Sequence, residues 1–122
     1  MSQTPDITIY HNPACGTSRT VLAMIRDTGA EPTVVEYLKT PYTRAQLTAL
    51  LNATGLSARE LMRDKGALYE ELDLANPRWS GDALIDQMVA HPELVNRPIV
   101  VTPLGTRLCR PASTLLELLP QA

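Results

Sequence analysis

The sequence predicts an α/β fold in which a β-α-β half and a β-β-α half are joined through a run of helices. Three observations predict it. β-rich segments occur near both ends, helical periodicity with capping residues fills the middle, and a length of 122 residues suits one core. Hydrophobic residues make up 44% and charged residues 20%, as is usual for a globular domain. We therefore expect a single domain over residues 1–122, with a helical insertion at about 42–95.

The first half is predicted to be a β-α-β unit. The segment "DITIY" (6–10) is typical of a short buried strand, and it stops at the chain break Asn12-Pro13. From Ser18 to Thr28 apolar residues recur at helical spacing, and Gly29 ends the helix. The members of that apolar face are Val21, Leu22, Met24 and Ile25. The segment "TVVEYL" (33–38) is the second predicted strand, so the two strands should be parallel and joined by a right-handed crossover.

The insertion is predicted to contain several helices that begin at capping residues. Two capping boxes mark helix starts, because a Ser or Thr and a Glu or Gln three residues later bond each other's backbone N–H. These pairs are Thr43 with Gln46 and Ser57 with Glu60. Gly55 closes the first of these helices. A further helix begins at Ser80 and ends at His91-Pro92.

The last part of the chain is predicted to form two strands and a helix. The segment "PIVVTPLGTRLCRP" gives strands at about 98–102 and 106–109 around a Pro-Leu-Gly turn. Pro111 should lie in the first turn of the helix that follows. The leucines expected to point inward are Leu115, Leu116 and Leu119. A β-α-β half followed by a β-β-α half is the plan of a thioredoxin-like fold.

Composition excludes several classes of function. The net charge is −2 and the charges alternate in sign, so neither a nucleic-acid nor a membrane surface is indicated. The start "MSQTPD" does not resemble a signal peptide, and no apolar stretch approaches the roughly 20 residues of a membrane span. Two cysteines do not form a disulfide scaffold. We therefore expect a cytoplasmic monomer.

One cysteine lies where a nucleophile is expected. In the predicted fold, the turn after the first strand places Cys15 at the N-terminus of the first helix. Unpaired N–H groups and the positive end of the helix dipole favour an anion there, so the pKa of the thiol should fall. His11 and Arg19 lie nearby in sequence and would add positive charge. The alternative is a buried, inert cysteine, but a helix N-terminus is a poor place to bury one.

The residues around Cys15 also exclude related chemistries. Three residues after Cys15 stands Ser18, so there is no C-x-x-C pair to form an internal disulfide. Six residues after it stands Val21, so the C-x₅-R phosphate loop is absent. Two histidines and two cysteines lack zinc-ligand spacing, and no metal or bound cofactor is expected. What remains is a single nucleophilic thiol, which depends on a second thiol from outside the chain.

The chain resembles the glutaredoxin-coupled arsenate reductases of bacteria along nearly its whole length. The segments that carry the resemblance are "ITIYHNPACGTSR", "ELMR" and "NRPIVVTPLGTRLCRP". The resemblance implies that Cys15 attacks arsenate to form a thiol–arsenate adduct. Glutathione, as co-substrate, would then displace the arsenic centre, and glutaredoxin would complete the reduction to arsenite.

The resemblance also implies roles for the surrounding residues. Arg63, Arg97 and Arg110 would hold the oxyanion, and His11 and Ser18 would tune the thiolate. Pro98 falls where thioredoxin-like folds keep a cis-proline facing the active site.

Each of these residues also has a simpler interpretation. Arginines usually form surface ion pairs, His11 can pack locally at the strand end, and the Ser18 hydroxyl can bond a backbone N–H in the first helical turn. Cys109, in the last predicted strand, is interpreted as a core residue without a role in the reaction.

Two alternative functions remain open at this point. One is a glutathione-linked thiol oxidoreductase whose substrate is not arsenate. The other is a non-catalytic regulator of the same fold that binds RNA polymerase. Regulators of that kind often carry a C-x-x-C pair, which Ser18 removes here.

Overall fold

A computed structural model describes residues 6–120 of the chain. The start of the chain, in which the sequence showed no signal peptide, lies almost entirely outside the described residues. The described part of the chain divides into two compact units, one formed by residues 6–40 and 97–120 and the other by residues 41–96. The expectation of a single domain stays a prediction.

The first unit is built on a four-stranded mixed sheet. Its strands are β1 (Thr8–His11), β2 (Thr33–Glu36), β3 (Ile99–Thr102) and β4 (Gly105–Leu108), in the spatial order β2-β1-β3-β4. β1 and β2 are parallel, whereas β3 is antiparallel to both β1 and β4. The β-α-β and β-β-α halves predicted from the sequence are therefore confirmed, and with them the thioredoxin-like fold.

The core of this unit lies between the sheet and two helical segments. The helix α1 (Gly16–Asp27) connects β1 to β2, and a 3₁₀ helix (Ala112–Leu118) follows β4. Apolar side chains from the sheet and from both helical segments form one buried cluster. Its members include Ile9, Val21, Ile25, Leu115 and Leu118. Packing of α1 on the sheet fixes its N-terminus beside the end of β1, where Cys15 lies.

The last helix differs from the prediction. It is a 3₁₀ helix, and Pro111 precedes it instead of lying in its first turn. With three residues per turn, Leu115 and Leu118 share the buried face. Leu116, expected to point inward, is 54% exposed, so that prediction was wrong. Leu119 is half-buried against the core.

The second unit is helical. It contains α2 (Arg44–Thr54), α3 (Ala58–Leu61), α4 (Ala67–Glu71), α5 (Gly81–Ala90) and a short 3₁₀ helix (Pro92–Leu94). Both predicted capping boxes are formed, by Thr43 with Gln46 and by Ser57 with Glu60. The short helix α4 was not predicted individually. No helix within residues 6–120 has the length and apolar character needed to cross a bilayer.

Candidate active site

Cys15 is the residue immediately before α1. Its backbone is extended, and its carbonyl accepts the first helical hydrogen bond from the Arg19 N–H at 3.0 Å. The N–H groups of the first turn have no acceptor inside the helix, so this end carries partial positive charge. About 9% of the Cys15 surface is exposed. The predicted position at the helix N-terminus is therefore where the structure places the thiol.

The environment of Cys15 lowers its pKa to about 7. Burial is the largest single influence, and it acts in the opposite direction by raising the pKa. The Ser18 backbone N–H and the Arg97 and Arg110 guanidinium groups together outweigh it. The Cys15 side chain does not form a capping hydrogen bond of standard geometry. The Ser18 N–H therefore favours the thiolate by lying near the sulfur, without a full hydrogen bond to it. A substantial fraction of the thiol is thus thiolate at neutral pH.

Two of the three predicted arginines lie at the same end of the sheet as Cys15. The antiparallel registers Tyr10↔Ile99 and Ile99↔Leu108 bring the end of β1, the start of β3 and the end of β4 together. Arg97 precedes β3 and Arg110 follows β4. The Arg110 Nη1 atom lies 3.8 Å from Cys15 Sγ and donates to the Arg97 carbonyl at 3.1 Å.

Pro98 lies between Arg97 and β3. The Arg97–Pro98 peptide bond is cis, and Pro98 is buried. The Pro98 carbonyl accepts a hydrogen bond from the Cys109 N–H at 2.9 Å, which ties the start of β3 to the end of β4. This contact holds together the two segments that carry Arg97 and Arg110.

His11 and Ser18 form a buried pair beneath the loop that carries Cys15. The His11 Nδ1 atom lies 2.6 Å from Ser18 Oγ, and Ser18 Oγ also accepts the Asn12 N–H at 3.1 Å. Burial lowers the pKa of His11, and although Glu36 opposes this effect, nearby arginines add to it. His11 is therefore largely neutral at pH 7, and it contributes a hydrogen bond to Ser18 in the first turn of α1 instead of the positive charge expected from the sequence.

Arg19 lies on the outer side of the same loop. Its Nη1 atom donates to the Pro13 carbonyl at 2.9 Å, and the side chain is exposed. Together with Ser18, it ties the loop to the first turn of α1. The contribution of its positive charge to the Cys15 thiolate stays a prediction.

Arg63 lies in the second unit, two residues after the end of α3. Its backbone N–H donates to the Leu94 carbonyl at 2.7 Å, and its Nη1 atom lies 3.5 Å from the Lys65 carbonyl. The side chain is half-buried. Its role toward the oxyanion stays a prediction.

Cys109 occupies a different environment from Cys15. It is fully buried in the core cluster of the first unit. Burial raises the pKa of its thiol to about 12, so it is protonated at neutral pH.

Within residues 6–120, no three His, Cys, Asp or Glu side chains gather as a metal site requires.

Asn12 is a site residue that the sequence analysis treated only as a chain break. Its side-chain Oδ1 accepts the Ala14 N–H at 2.9 Å, and its backbone carbonyl accepts the Cys15 N–H at 3.0 Å. An Asn two residues before an N–H group often closes a turn in this way, so the Asn-Pro pair itself contained the signal.

Comparison with known proteins places the chain in a family. Residues 10–118 match the model of the ArsC family. An arsenate reductase of Rhizobium meliloti (strain 1021) is 59% identical over 114 residues, covering 93% of this chain and 81% of the relative. One of Escherichia coli (strain K12) is 59% identical over 117 residues, covering 96% of this chain and 83% of the relative. The solved arsenate reductase from Vibrio cholerae has a TM-score of 0.91 and 41% identity, covering 96% of this chain and 100% of that one. The chain belongs to the ArsC family.

Proposed function

We propose that this protein is an arsenate reductase that uses Cys15 as its nucleophile and glutathione as the reducing co-substrate. Glutaredoxin then regenerates the enzyme. The proposed location is the cytoplasm, where a free thiol stays reduced.

One observation carries this proposal above the others. Cys15 has a pKa of about 7 at the N-terminus of α1, and an arginine nitrogen lies 3.8 Å from its sulfur. A thiolate that attacks an arsenate anion suffers like-charge repulsion, which cations held in place can offset. The close relatives named above are arsenate reductases, which supports the same substrate.

The proposed chemistry transfers two electrons from two thiols to arsenic. The Cys15 thiolate attacks As(V), a sulfur–arsenic bond forms, and one arsenate oxygen leaves as water after protonation. A glutathione thiol supplies the second sulfur. Arsenic then leaves with an electron pair as arsenite, and the two sulfurs end as a disulfide between Cys15 and glutathione. Glutaredoxin, with a further thiol, reduces that mixed disulfide, so in this route it acts after arsenite has left and not in the reduction of arsenic that the resemblance implied.

The proposed oxyanion site consists of Arg63, Arg97 and Arg110. Arginine suits this role because its planar fork makes paired hydrogen bonds to oxyanions and stays charged at neutral pH. Arg97 and Arg110 already stabilise the thiolate, so they would hold the sulfur and the oxyanion with the same charges. Arg63 is assigned by its place in the family pattern. Arg63→Ala should lower kcat/KM for arsenate.

A coupled assay tests the function. Arsenate, glutathione, glutaredoxin, glutathione reductase and NADPH are combined with the enzyme, and NADPH oxidation is followed. Oxidation should require both arsenate and Cys15, and Cys15→Ser should abolish it. NADPH oxidation with a small disulfide but not with arsenate would instead indicate a general thiol oxidoreductase. No turnover with either substrate would favour the non-catalytic regulator.

The external thiol is tested by mass spectrometry. After incubation with arsenate and glutathione, with glutaredoxin withheld, the protein should carry one glutathione on Cys15. Cys109 should stay unmodified, because it is buried in the core. A disulfide between Cys15 and Cys109 as the main product would contradict the proposed route.

A further inference from the structure

The loop before α1 obtains most of its backbone hydrogen bonds from a single residue. Residues 12–15 have three N–H groups, because Pro13 has none. The Ala14 N–H donates to Asn12 Oδ1, and the Cys15 N–H donates to the Asn12 carbonyl. The remaining N–H, that of Asn12 itself, donates to Ser18 Oγ. Two of the three acceptors therefore belong to Asn12, which is buried, with about 9% of its surface exposed.

The position of the Cys15 sulfur depends on this loop. Sγ is one bond beyond Cβ, so a shift of the Cys15 backbone moves the sulfur by a similar distance. The contact from Arg110 Nη1 to Sγ is already long at 3.8 Å, and the Ser18 N–H does not complete a standard cap. A small displacement therefore weakens these two interactions, which together with Arg97 favour the thiolate.

From these contacts we infer that Asn12 is a positioning residue for Cys15. Its side-chain amide closes the Asn12–Ala14 turn and so holds the sulfur beside the helix N-terminus and Arg110. The inference extends the proposed function, because it matters for arsenate reduction only if Cys15 is the nucleophile.

The amide is well suited to this position. Its side chain has the length that lets its oxygen accept the N–H two residues later, and it carries no charge. An aspartate would accept the same N–H, but it would add a negative charge to the turn that carries Cys15, and a negative charge near a thiolate disfavours it. An alanine would leave the Ala14 N–H without its acceptor.

The chain contains a matched control. Asn76, in the second unit, also precedes a proline, and its Oδ1 accepts the Arg78 N–H at 2.9 Å. The turn is the same in sequence pattern, bond and bond length, but it does not include Cys15. Asn76→Ala thus removes an equivalent hydrogen bond, together with the one that Asn76 Nδ2 donates to Asp73 Oδ2 at 3.1 Å, from a turn without the nucleophile.

The experiment compares Asn12→Ala, Asn12→Ser and Asn76→Ala with the wild type. The pKa of Cys15 is measured from the pH dependence of iodoacetamide alkylation, and kcat/KM from the coupled arsenate assay. Asn12→Ala should raise the pKa of Cys15 by about one pH unit. At pH 7 this reduces the thiolate fraction and the alkylation rate roughly fivefold, and kcat/KM should fall by at least as much. Asn12→Ser, a weaker acceptor, should lie between Asn12→Ala and the wild type.

Asn76→Ala should lower the melting temperature, because it removes the hydrogen bonds of its own turn, and leave the pKa of Cys15 unchanged. An unchanged pKa of Cys15 in Asn12→Ala, or an equal rise in Asn76→Ala, overturns the inference. If Asn12→Ala does not fold, Asn12→Ser decides by the same criterion: a raised pKa supports the inference, and a wild-type pKa overturns it. The alkylation measurement does not use arsenate, so it tests Asn12 even if the wild type fails to reduce arsenate.

Discussion

Residue by residue, the reactivity of Cys15 results from two opposing effects. Burial raises the pKa of a thiol, and hydrogen-bond donors and positive charges lower it. At Cys15 the donors prevail because the Ser18 N–H, Arg97 and Arg110 act on one sulfur. At Cys109 burial prevails, and the pKa rises to about 12. Two cysteines of the same chain are thereby separated into a nucleophile and an inert core residue.

The first prediction concerns the reactivity of the two thiols. Alkylation of Cys15 by iodoacetamide should follow a titration with a midpoint near pH 7, because only the thiolate reacts. Cys109 should stay unlabelled in the native protein. Labelling followed by peptide mass spectrometry measures both sites. Cys109→Ala should reproduce the wild-type curve, whereas a midpoint at or above about 8.5, the value of a free thiol, would remove the basis of the mechanism.

The second prediction concerns Arg97 and Arg110. Replacing either by alanine should raise the pKa of Cys15, since each guanidinium favours the thiolate. Loss of one charge-assisted contact in the transition state costs on the order of 2–4 kcal/mol, so kcat/KM for arsenate should fall roughly 30- to 1,000-fold. Lysine at either position should recover only part of the loss, because it cannot reproduce the planar fork.

Arg107 is the control for these arginines. It lies on β4, is exposed and faces Glu117 at 3.5 Å, so it is an ordinary surface ion pair. Arg107→Ala should leave the pKa of Cys15 and the arsenate kinetics unchanged. Near-normal arsenate kinetics in both Arg97→Ala and Arg110→Ala would show that these arginines are surface charges as well.

Secondary-structure elements determine which of these residues meet. Cys15 follows β1, Arg97 precedes β3 and Arg110 follows β4, and the antiparallel registers bring these three strand ends to one side of the sheet. Strand pairing, with α1 packed on the sheet, therefore brings together Cys15 and Arg110, which are 95 residues apart in the chain. The site is a consequence of the order β2-β1-β3-β4.

The local sequence signals predicted most of these elements. Both capping boxes, the strands and the helix after Cys15 follow from alternation, spacing and capping chemistry, which act over a few residues. The last helix was harder, because Leu115, Leu116 and Leu119 fit the α-helical period, and only packing selected the 3₁₀ turn that buries Leu115 and Leu118. The neutral state of His11 was also beyond the sequence, since it depends on burial in the folded chain.

The third prediction concerns the start of α2. Thr43 accepts the Gln46 N–H at 3.1 Å, and Gln46 Oε1 accepts the Thr43 N–H at 2.9 Å. Thr43→Ala should lower the free energy of unfolding by about 1 kcal/mol, whereas Thr43→Ser should retain most of this contribution of the cap. Chemical denaturation measures the change. Thr48→Ala, at an exposed position inside the same helix, should not destabilise the protein, and an equal loss there would show that the cap is not the cause.

Taken as a whole, the molecule couples its folding to the chemistry of one thiol. The groups that favour the Cys15 thiolate are arranged by the fold, so they do not act in the unfolded chain. Whatever lowers the pKa of Cys15 in the folded state must therefore also make stability depend on pH. The folded structure that activates Cys15 is in turn stabilised by the negative charge of the Cys15 thiolate.

The last prediction follows from that linkage. The pKa of Cys15 is about 7 in the folded protein and about 8.5 for a free thiol, so between these values the unfolded chain binds more protons. Stability should consequently rise with pH across this window, by about 2 kcal/mol in total, and the gain should be lost as the pH falls through 7. Urea denaturation at pH 6.5, 7.5 and 9 measures the free energy of unfolding of the wild type and of Cys15→Ser. The contributions of the other titrating groups cancel in the difference between the two proteins. Cys109 has the opposite effect, because its folded pKa is raised to about 12 and its contribution lowers stability above about pH 8.5, but it is present in both proteins and therefore cancels in the difference. If the two proteins gave parallel stability curves from pH 6.5 to 9, the thiolate would not be stabilised by the fold.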